Sequence, residues 1–453
     1  MNAVEKKPLV AWYGDDFTGS AAVLEALAFA GVSSVLFLDI PTEAQLARFP
    51  DMRGIGIASI ARSKGPDWMA QHLPPAFDWL KARQAPVTHY KVCSTLDSAP
   101  HVGSIGKAID IAAARFETPW IPCLIASPAN RRYQLFGHLF ASAPGGVFRL
   151  DRHPVMARHP VTPMDESDVA KHLARQTERP IGLIDIEALE GDGADAALRR
   201  QIENGAEVIT LDSLSEAHLA RAGRLIWEHR GEGIFAVGSQ GLDYALVAHW
   251  REAGLLEAIE TTAGAGPVER LLVVSGSVSP VTALQIDWAE ANSFEVITLD
   301  VARVVAGEEA AEQAAFEAAC SALAAGRDPM VLTARGPDDP MIGVMRDAAR
   351  NMGVPEEVAN ARIGEALGRL LRRLLKSTGL RRAAISGGDT SGHVSKKLDL
   401  FAFTALAPTI PGAALLTAHA EDPAVDGLQL ALKGGQMGSP DFFGWIKQGG
   451  GTR

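Results

Sequence analysis

The stretch LVAWYGDDFTGSAAVLEALAFAG, residues 9–31, decides the fold. LVAWYG is apolar throughout and short, which reads as a strand covered on both faces. SAAVLEALAFAG reads as a helix closed by Gly31. Between them stand Asp15 and Asp16, then Thr18, Gly19 and Ser20. A strand, a polar turn and a helix in that order make the repeating unit of a parallel, doubly covered sheet.

Working outward, the same cadence recurs. Strands are predicted at SSVLFLD, RGIGIAS, VTHYKVCS and WIPCLIAS, with helices over 67–83 and 103–116. The segment ETTAGAGPVER interrupts the rhythm with small residues and a proline. After it come strands at LLVVSGS, FEVITLD, PMVLTAR and RAAISGG, and helices at PVTALQIDWAEAN, 308–325 and 356–378. The expectation is two α/β domains with largely parallel sheets and an inter-domain cleft. They are assigned to residues 1–260 and 271–453, with a linker at 261–270. A chain of 453 residues is long enough for two cores.

Composition narrows the function. The net charge is −11 and no lysine or arginine run occurs, which argues against a nucleic-acid platform. Three widely spaced cysteines form no CxxC pair, so neither a disulfide framework nor a zinc site is indicated. There is no apolar stretch of membrane-spanning length and no apolar leader pattern in MNAVEKKPLV. A cytoplasmic protein acting on small molecules is expected, with a homo-oligomer open.

In open parallel sheets, ligands gather beyond the carboxyl ends of the strands. Five polar clusters fall there: GDDFTGS, KVCSTLDSAPHVGSIG, SPANRR, SGSVSPVT and SGGDTSGH. In GDDFTGS one acid can cap the following helix, but two adjacent carboxylates repel and only one can cap. The pair therefore reads as catalytic: one of Asp15 and Asp16 holds a substrate hydroxyl and the other accepts its proton. In KVCSTLDS, the residues Lys91, Ser94, Thr95, Asp97 and Ser98 form a dense set of donors and acceptors suited to a small polyol acid, with Lys91 pairing with a carboxylate or phosphate. SPANRR offers Arg131, and the loop RLDRHPVMARHPVTPMDESD offers Arg158 beside His153 and His159, either as pocket lining or as surface. In the second half, SGSVSP carries Ser275, Ser277 and Ser279, SGGDTSGH carries Gly387, Gly388, Asp389 and Thr390, and LKGGQMGS carries Gly434 and Gly435. Glycine lets backbone approach phosphate oxygens, and Asp389 is placed to help hold a metal bridging them. GSIGKA is not a P-loop: His101 stands where the first glycine is needed and Ala108 where Ser or Thr is needed. No dinucleotide fingerprint follows a strand. Three Gly/Ser turns in one domain suggest a nucleotide cradle of another kind.

The ordered set DDFTGS, KVCSTLDSAPHVGSIG, SPANRR, RHPVTPMDES, VVSGSVSPVTALQ, SGGDTSG and LKGGQMGSPDFF resembles the four-carbon acid sugar kinase family, long catalogued as a domain of unknown function. The likeness runs from about residue 9 to residue 445. It implies a sugar-acid-binding N-terminal domain and a nucleotide-binding C-terminal domain. It also implies phosphorylation of the terminal (4-) hydroxyl of threonate, erythronate or 3-oxo-tetronate by ATP with Mg²⁺. By the same likeness Asp15, Asp16 and the K-x-x-S-T-x-D segment fall on the substrate side, and the serine and glycine turns on the ATP side. Asp389 stands where many members carry Glu. A sugar-acid dehydrogenase and a non-catalytic sugar-acid sensor are the alternatives.

Overall fold

The computed structural model describes residues 7–143, 145–159, 161–257, 259 and 263–453. They divide into two compact units between Ile259 and Glu260. Residues 261 and 262 of the expected linker lie outside the described residues.

The first unit begins with strand β1 (Val10–Gly14), all five residues buried, and passes into the helix Phe17–Ala28. That helix starts three residues before the sequence reading placed it, because Asp16 caps it by accepting from the Gly19 N–H. Strands β2 (Ser34–Phe37), β3 (Gly54–Ala58), β4 (Val87–Lys91) and β5 (Ile121–Leu124) follow. A small antiparallel sheet comes next: β6 (Arg132–Leu135), β7 (His138–Ala143) and β8 (Gly146–Arg149). Then β9 (Ile181–Ile184), β10 (Val208–Leu211) and β11 (Ile234–Gly238) complete the main sheet. Its order is β2-β3-β1-β4-β11-β5-β10-β9, and every pairing is parallel. Buried strands of this kind need helices on both faces, which is why they are apolar throughout. One core gathers Tyr13, Phe77, Tyr90 and Phe235, each at most 4% exposed, with edge-to-face ring contacts around Phe77.

The second unit holds β12 (Leu272–Ser275), β13 (Phe294–Thr298), β14 (Asp328–Leu332), β15 (Arg382–Ser386), β16 (Leu400–Ala407), β17 (Leu415–Ala420) and β18 (Gln429–Lys433). The order is β13-β14-β12-β15-β18-β17-β16. The first five run parallel; β17 is antiparallel to both β18 and β16. The helix Glu356–Thr378 occupies the predicted span and ends at Gly379, whose φ of +69° only glycine adopts without strain.

The two units share a winding rule. In the first, the chain lays β2 and β3 to one side of β1 and then crosses to place β4 on the other. In the second, β13 and β14 lie to one side of β12, and β15 is on the other. Each unit therefore has a switch point, at β1/β4 and at β12/β15, where diverging connections leave a crevice beyond the strand ends. No helix among the described residues is long and apolar enough to cross a membrane.

Candidate active site

The switch point of the first unit brings Asp15, Asp16 and Lys91 together. The Asp15 N–H donates to the Lys91 carbonyl at 3.0 Å, locking the ends of β1 and β4 side by side. A residue that the sequence reading passed over joins them. Arg62, in the turn after β3, donates Nε to Asp15 Oδ2 at 3.1 Å and Nη2 to Asp15 Oδ1 at 2.6 Å. The same Nη2 reaches Asp16 Oδ1 at 2.7 Å. The signal for it was positional: β3 ends on the same sheet edge as β1 and β4. Gly19 lets the group close up. A Cβ there would overlap Asp16 Oδ1 and come within 2.9 Å of Lys91 Nζ.

The two carboxylates are driven apart electrostatically. Burial pushes Asp15 above the ordinary carboxylate range, opposed by the Arg62 charge and reinforced by that of Asp16. For Asp16 burial also pushes upward, but the charges of Arg62 and Lys91 and hydrogen bonds from Thr18 and Gly19 outweigh it, so it is held below that range. The Asp16 side chain is 22% exposed and Asp15 only 2%. Paired acids with diverging proton affinities and unequal access suit division of labour.

Beyond β4 the chain turns through Cys93, Ser94, Thr95 and Asp97. The Thr95 hydroxyl donates to Asp97 Oδ1 at 2.8 Å and lies 3.0 Å from Cys93 Sγ. Burial, with Asp97 nearby, pushes the Cys93 thiol up to about 11. Ser94 is half-buried in the same turn. The buried Ser98 hydroxyl fastens the loop, 2.9 Å from His172 Nε2. Burial lowers that imidazole to about 4, so it stays neutral.

The two nominated arginines lie differently. Arg131 is exposed and left-handed, with φ +55°. Its neighbour Arg132 is half-buried and interacts electrostatically with Cys93 and Asp97, while burial lowers its guanidinium below the ordinary value. Arg132 Nη1 is tied to the Asn130 carbonyl and the Ser142 hydroxyl, and its buried Nε has no protein partner. Arg158 is exposed on a short 3₁₀ turn, and among the described residues it makes no side-chain contact with the aspartate cluster. The histidines beside it hold their own loop: His153 Nδ1 accepts from the Met156 N–H, and His159 Nδ1 from the Thr162 N–H.

The switch point of the second unit gathers the serine and glycine turns. Ser279 caps the helix Pro280–Ala291 through the Val281 N–H. Ser277 Oγ lies 2.9 Å from Thr282 Oγ1, which donates to the Gly435 carbonyl at 3.1 Å. Ser275 is wholly buried, and its Oγ accepts from the Ser277 N–H at 3.4 Å. Gly387 has φ +119°, and a Cβ there would sit 2.8 Å from Thr390 Oγ1. A Cβ on Gly435 would sit 2.7 Å from Ser277 Oγ. The helix Gly388–Lys397 opens with no side-chain cap, so its first N–H groups stay available to an anion. Gly388 and Asp389 are exposed there, and nothing lies within 4 Å of where a Gly388 Cβ would be. No cluster of three metal-ligating side chains exists among the described residues. One exposed carboxylate beside an anion-receiving helix start fits a Mg²⁺ held chiefly by phosphates and water. Lys433, at the end of β18, is fully buried within this group and was also missed by the sequence reading.

Comparisons with known proteins agree with this division. Residues 10–246 match the family of sugar-binding N-terminal domains, and residues 272–443 the family of nucleotide-binding C-terminal domains. The 3-oxo-isoapionate kinase of Paraburkholderia graminis is 46% identical over 443 residues, covering 97% of this chain and 94% of that protein. The 3-oxo-tetronate kinase of Methylobacterium radiotolerans is 32% identical, covering 95% and 96%. A solved Salmonella typhimurium protein described as a tRNA synthase superposes with a TM-score of 0.79 at 27% identity, covering 97% of this chain and 98% of that one. Matched along both halves by these families and relatives, the chain belongs to the four-carbon acid sugar kinase family and is a carbohydrate-acid kinase.

Proposed function

We propose that this chain transfers the γ-phosphoryl group of ATP to the terminal hydroxyl of a 3-oxo sugar acid in the cytoplasm. The sugar acid binds in residues 1–260 and the nucleotide in 271–453, with 261–270 as linker. The observation that carries the reading is the Asp15–Asp16–Arg62–Lys91 cluster at the switch point of the first unit.

In this reading Asp16, ionised and reachable, accepts the proton of the attacking hydroxyl. Asp15 is the buried anchor that holds Arg62, and Arg62 in turn orients Asp16. Lys91 and Arg132 hold the acid's carboxylate, and Ser94, Thr95 and Asp97 orient its hydroxyls. Ser275, Ser277, Ser279, Gly387, Gly388, Thr390, Gly434 and Gly435 surround the phosphates, and Asp389 is the carboxylate offered to Mg²⁺. When bound, the metal supplies charge neutralisation of the phosphates. Phosphoryl transfer needs chiefly positioning and charge stabilisation, which dispersed groups of this kind provide. Identity of 46% with a 3-oxo-isoapionate kinase, against 28–32% with five 3-oxo-tetronate kinases, favours 3-oxo-isoapionate over the linear tetronates.

The test is ADP release with 3-oxo-isoapionate, 3-oxo-tetronate, threonate and erythronate. Turnover is expected to be fastest on the first. Asp16→Asn is expected to lower kcat by about 10²–10⁴-fold, the usual contribution of a positioned base. Full activity in Asp16→Asn would move the base elsewhere, and no turnover on any 3-oxo acid would overturn the substrate class.

A further inference from the structure

Lys433 is the one feature of the second unit's site that the reading above leaves without a task. It is 0% exposed, and none of the ion pairs of the described residues involves it. Burying an ammonium without an anion is unfavourable, so such a group gives up its proton readily and holds it only when a negative charge is brought near. Its three donors are all engaged by neutral oxygens: Thr282 Oγ1 at 3.2 Å and the carbonyls of Gly434 at 3.0 Å and Gly435 at 3.4 Å.

That bonding pattern has a direction. In a trans peptide the carbonyl and the following N–H point opposite ways, and there are no cis bonds among the described residues. Drawing the Gly434 and Gly435 carbonyls in towards the ammonium turns the N–H groups of Gly435 and Gln436 outward. The turn they form lies against Ser277, and Thr282 ties it to both flanking turns. Thr282 Oγ1 is 2.9 Å from Ser277 Oγ and 3.5 Å from Ser386 Oγ. The Gly387 N–H donates to the Lys433 carbonyl at 2.8 Å. Lys433 thus stands behind the point where all three turns meet, with the outward N–H groups in front of it.

We propose that Lys433 is a positioning residue for the phosphates of the nucleotide, and that their binding is coupled to uptake of a proton by its amine. The inference rests on the nucleotide site proposed above and adds a linkage to it. Burial alone lowers the free amine to about 7. The charged groups on the elements packed against β18 or bonded to the amine are Arg382 on β15, His419 on β17, Asp389, His393, Lys396 and Lys397 on the helix Gly388–Lys397, and Asp287 and Glu290 on the helix Pro280–Ala291 that carries Thr282. None of them contributes to that displacement. A polyphosphate in front of the turn favours the ammonium, so the bound value is higher than the free one. The sign follows: affinity is full below about pH 7 and falls as the pH rises above it.

The experiment is calorimetric titration of the full chain with ATP between pH 7 and 9, where the nucleotide's own phosphates are ionised. It is run at each pH in two buffers of different ionisation enthalpy. Wild-type protein is expected to take up a proton on binding, up to one per ATP near pH 8, and to lose affinity about tenfold across the range. Lys433→Met is expected to bind at least tenfold more weakly at pH 7, with no proton uptake and a flat pH dependence. The wild-type measurement stands alone if that variant fails to fold. ATP binding without proton uptake by the wild type overturns the role of Lys433 and leaves the kinase reading intact. No ATP binding at all overturns both.

Discussion

Two neighbouring aspartates end up with opposite characters because burial outweighs the Arg62 charge at Asp15, whereas burial at Asp16 is outweighed by Arg62 and Lys91 with hydrogen bonds from Thr18 and Gly19. Arg62 grips Asp15 with two nitrogens and touches Asp16 with one. Replacing Arg62 with Met removes the only ion-pair partner of Asp15 among the described residues and leaves the Lys91 charge alone to oppose its burial, and breaking a buried pair from one side costs about 3–5 kcal/mol. Arg62→Met is expected to lose about 3 kcal/mol in urea unfolding, with Asp15→Asn in the same background restoring part of it. A single-variant loss under about 0.5 kcal/mol would show that the cluster is not a structural unit. At this scale the sequence was half legible. The acids announced themselves because adjacent carboxylates at a helix start are one too many for a cap. Arg62 did not, because it is a single cation in an unremarkable turn, and within SPANRR and LKGGQMGS it was Arg131 and the glycines that stood out rather than Arg132 and Lys433. Only the folded neighbourhood shows that Arg62 bridges both aspartates, that the buried Nε of Arg132 lacks a partner and that Lys433 is buried outside any ion pair of the described residues.

Among elements, legibility followed the strength of the period. The helix Glu356–Thr378 was placed to the residue because its apolar stripe is long and a left-handed glycine closes it. Strands β16 to β18 went unread. LFAFTALA and LLTAHA mix Leu, Ala and Thr in a way that suits either period. The small sheet β6-β7-β8 is half-exposed and carries Arg, Gln and His, so it lacks the apolar run that marked the central strands. Elements are also where surface charge acts. Asp195, in the helix Ala194–Glu203, accepts from Arg224 and His229, which lie in and just after the helix Glu216–Glu228. Hydrogen bonds from Arg224 and then His229 hold it down at about 2. Its folded value lies below the unfolded one, so its contribution is present above about pH 4 and lost as the pH falls towards 2. The network is partly exposed and worth at most about 1 kcal/mol. Asp195→Asn is expected to lower Tm by about 2–4 °C at pH 7 and to match the wild type near pH 2 in thermal melts. An unchanged Tm at pH 7 would mean that solvent screening cancels the network.

Over the whole molecule, the repeated winding order places one switch point in each unit, and turns that the sequence singled out follow the strands that meet there. Hydrogen exchange separates their tasks. The sugar acid is expected to slow exchange at 14–20 and 91–98, and ATP at 275–282, 387–391 and 434–437, because ligands stabilise the segments they contact. ATP protecting the first set would reverse the assignment of the two halves. The two-unit plan was legible because the strand–helix cadence restarts after Pro267. The expected placement of the sites rests on a general rule about parallel sheets.

Cys93 carries a consequence for the protein's life under oxidants. Peroxides and alkylating agents attack thiolates, and a thiol raised to about 11 offers almost none at neutral pH. Cys123, raised to about 12 by burial, is equally inert. A sulfur can therefore sit beside Arg132 and Asp97 as plain packing, and activity is expected to survive peroxide concentrations that silence enzymes built around an ionised cysteine.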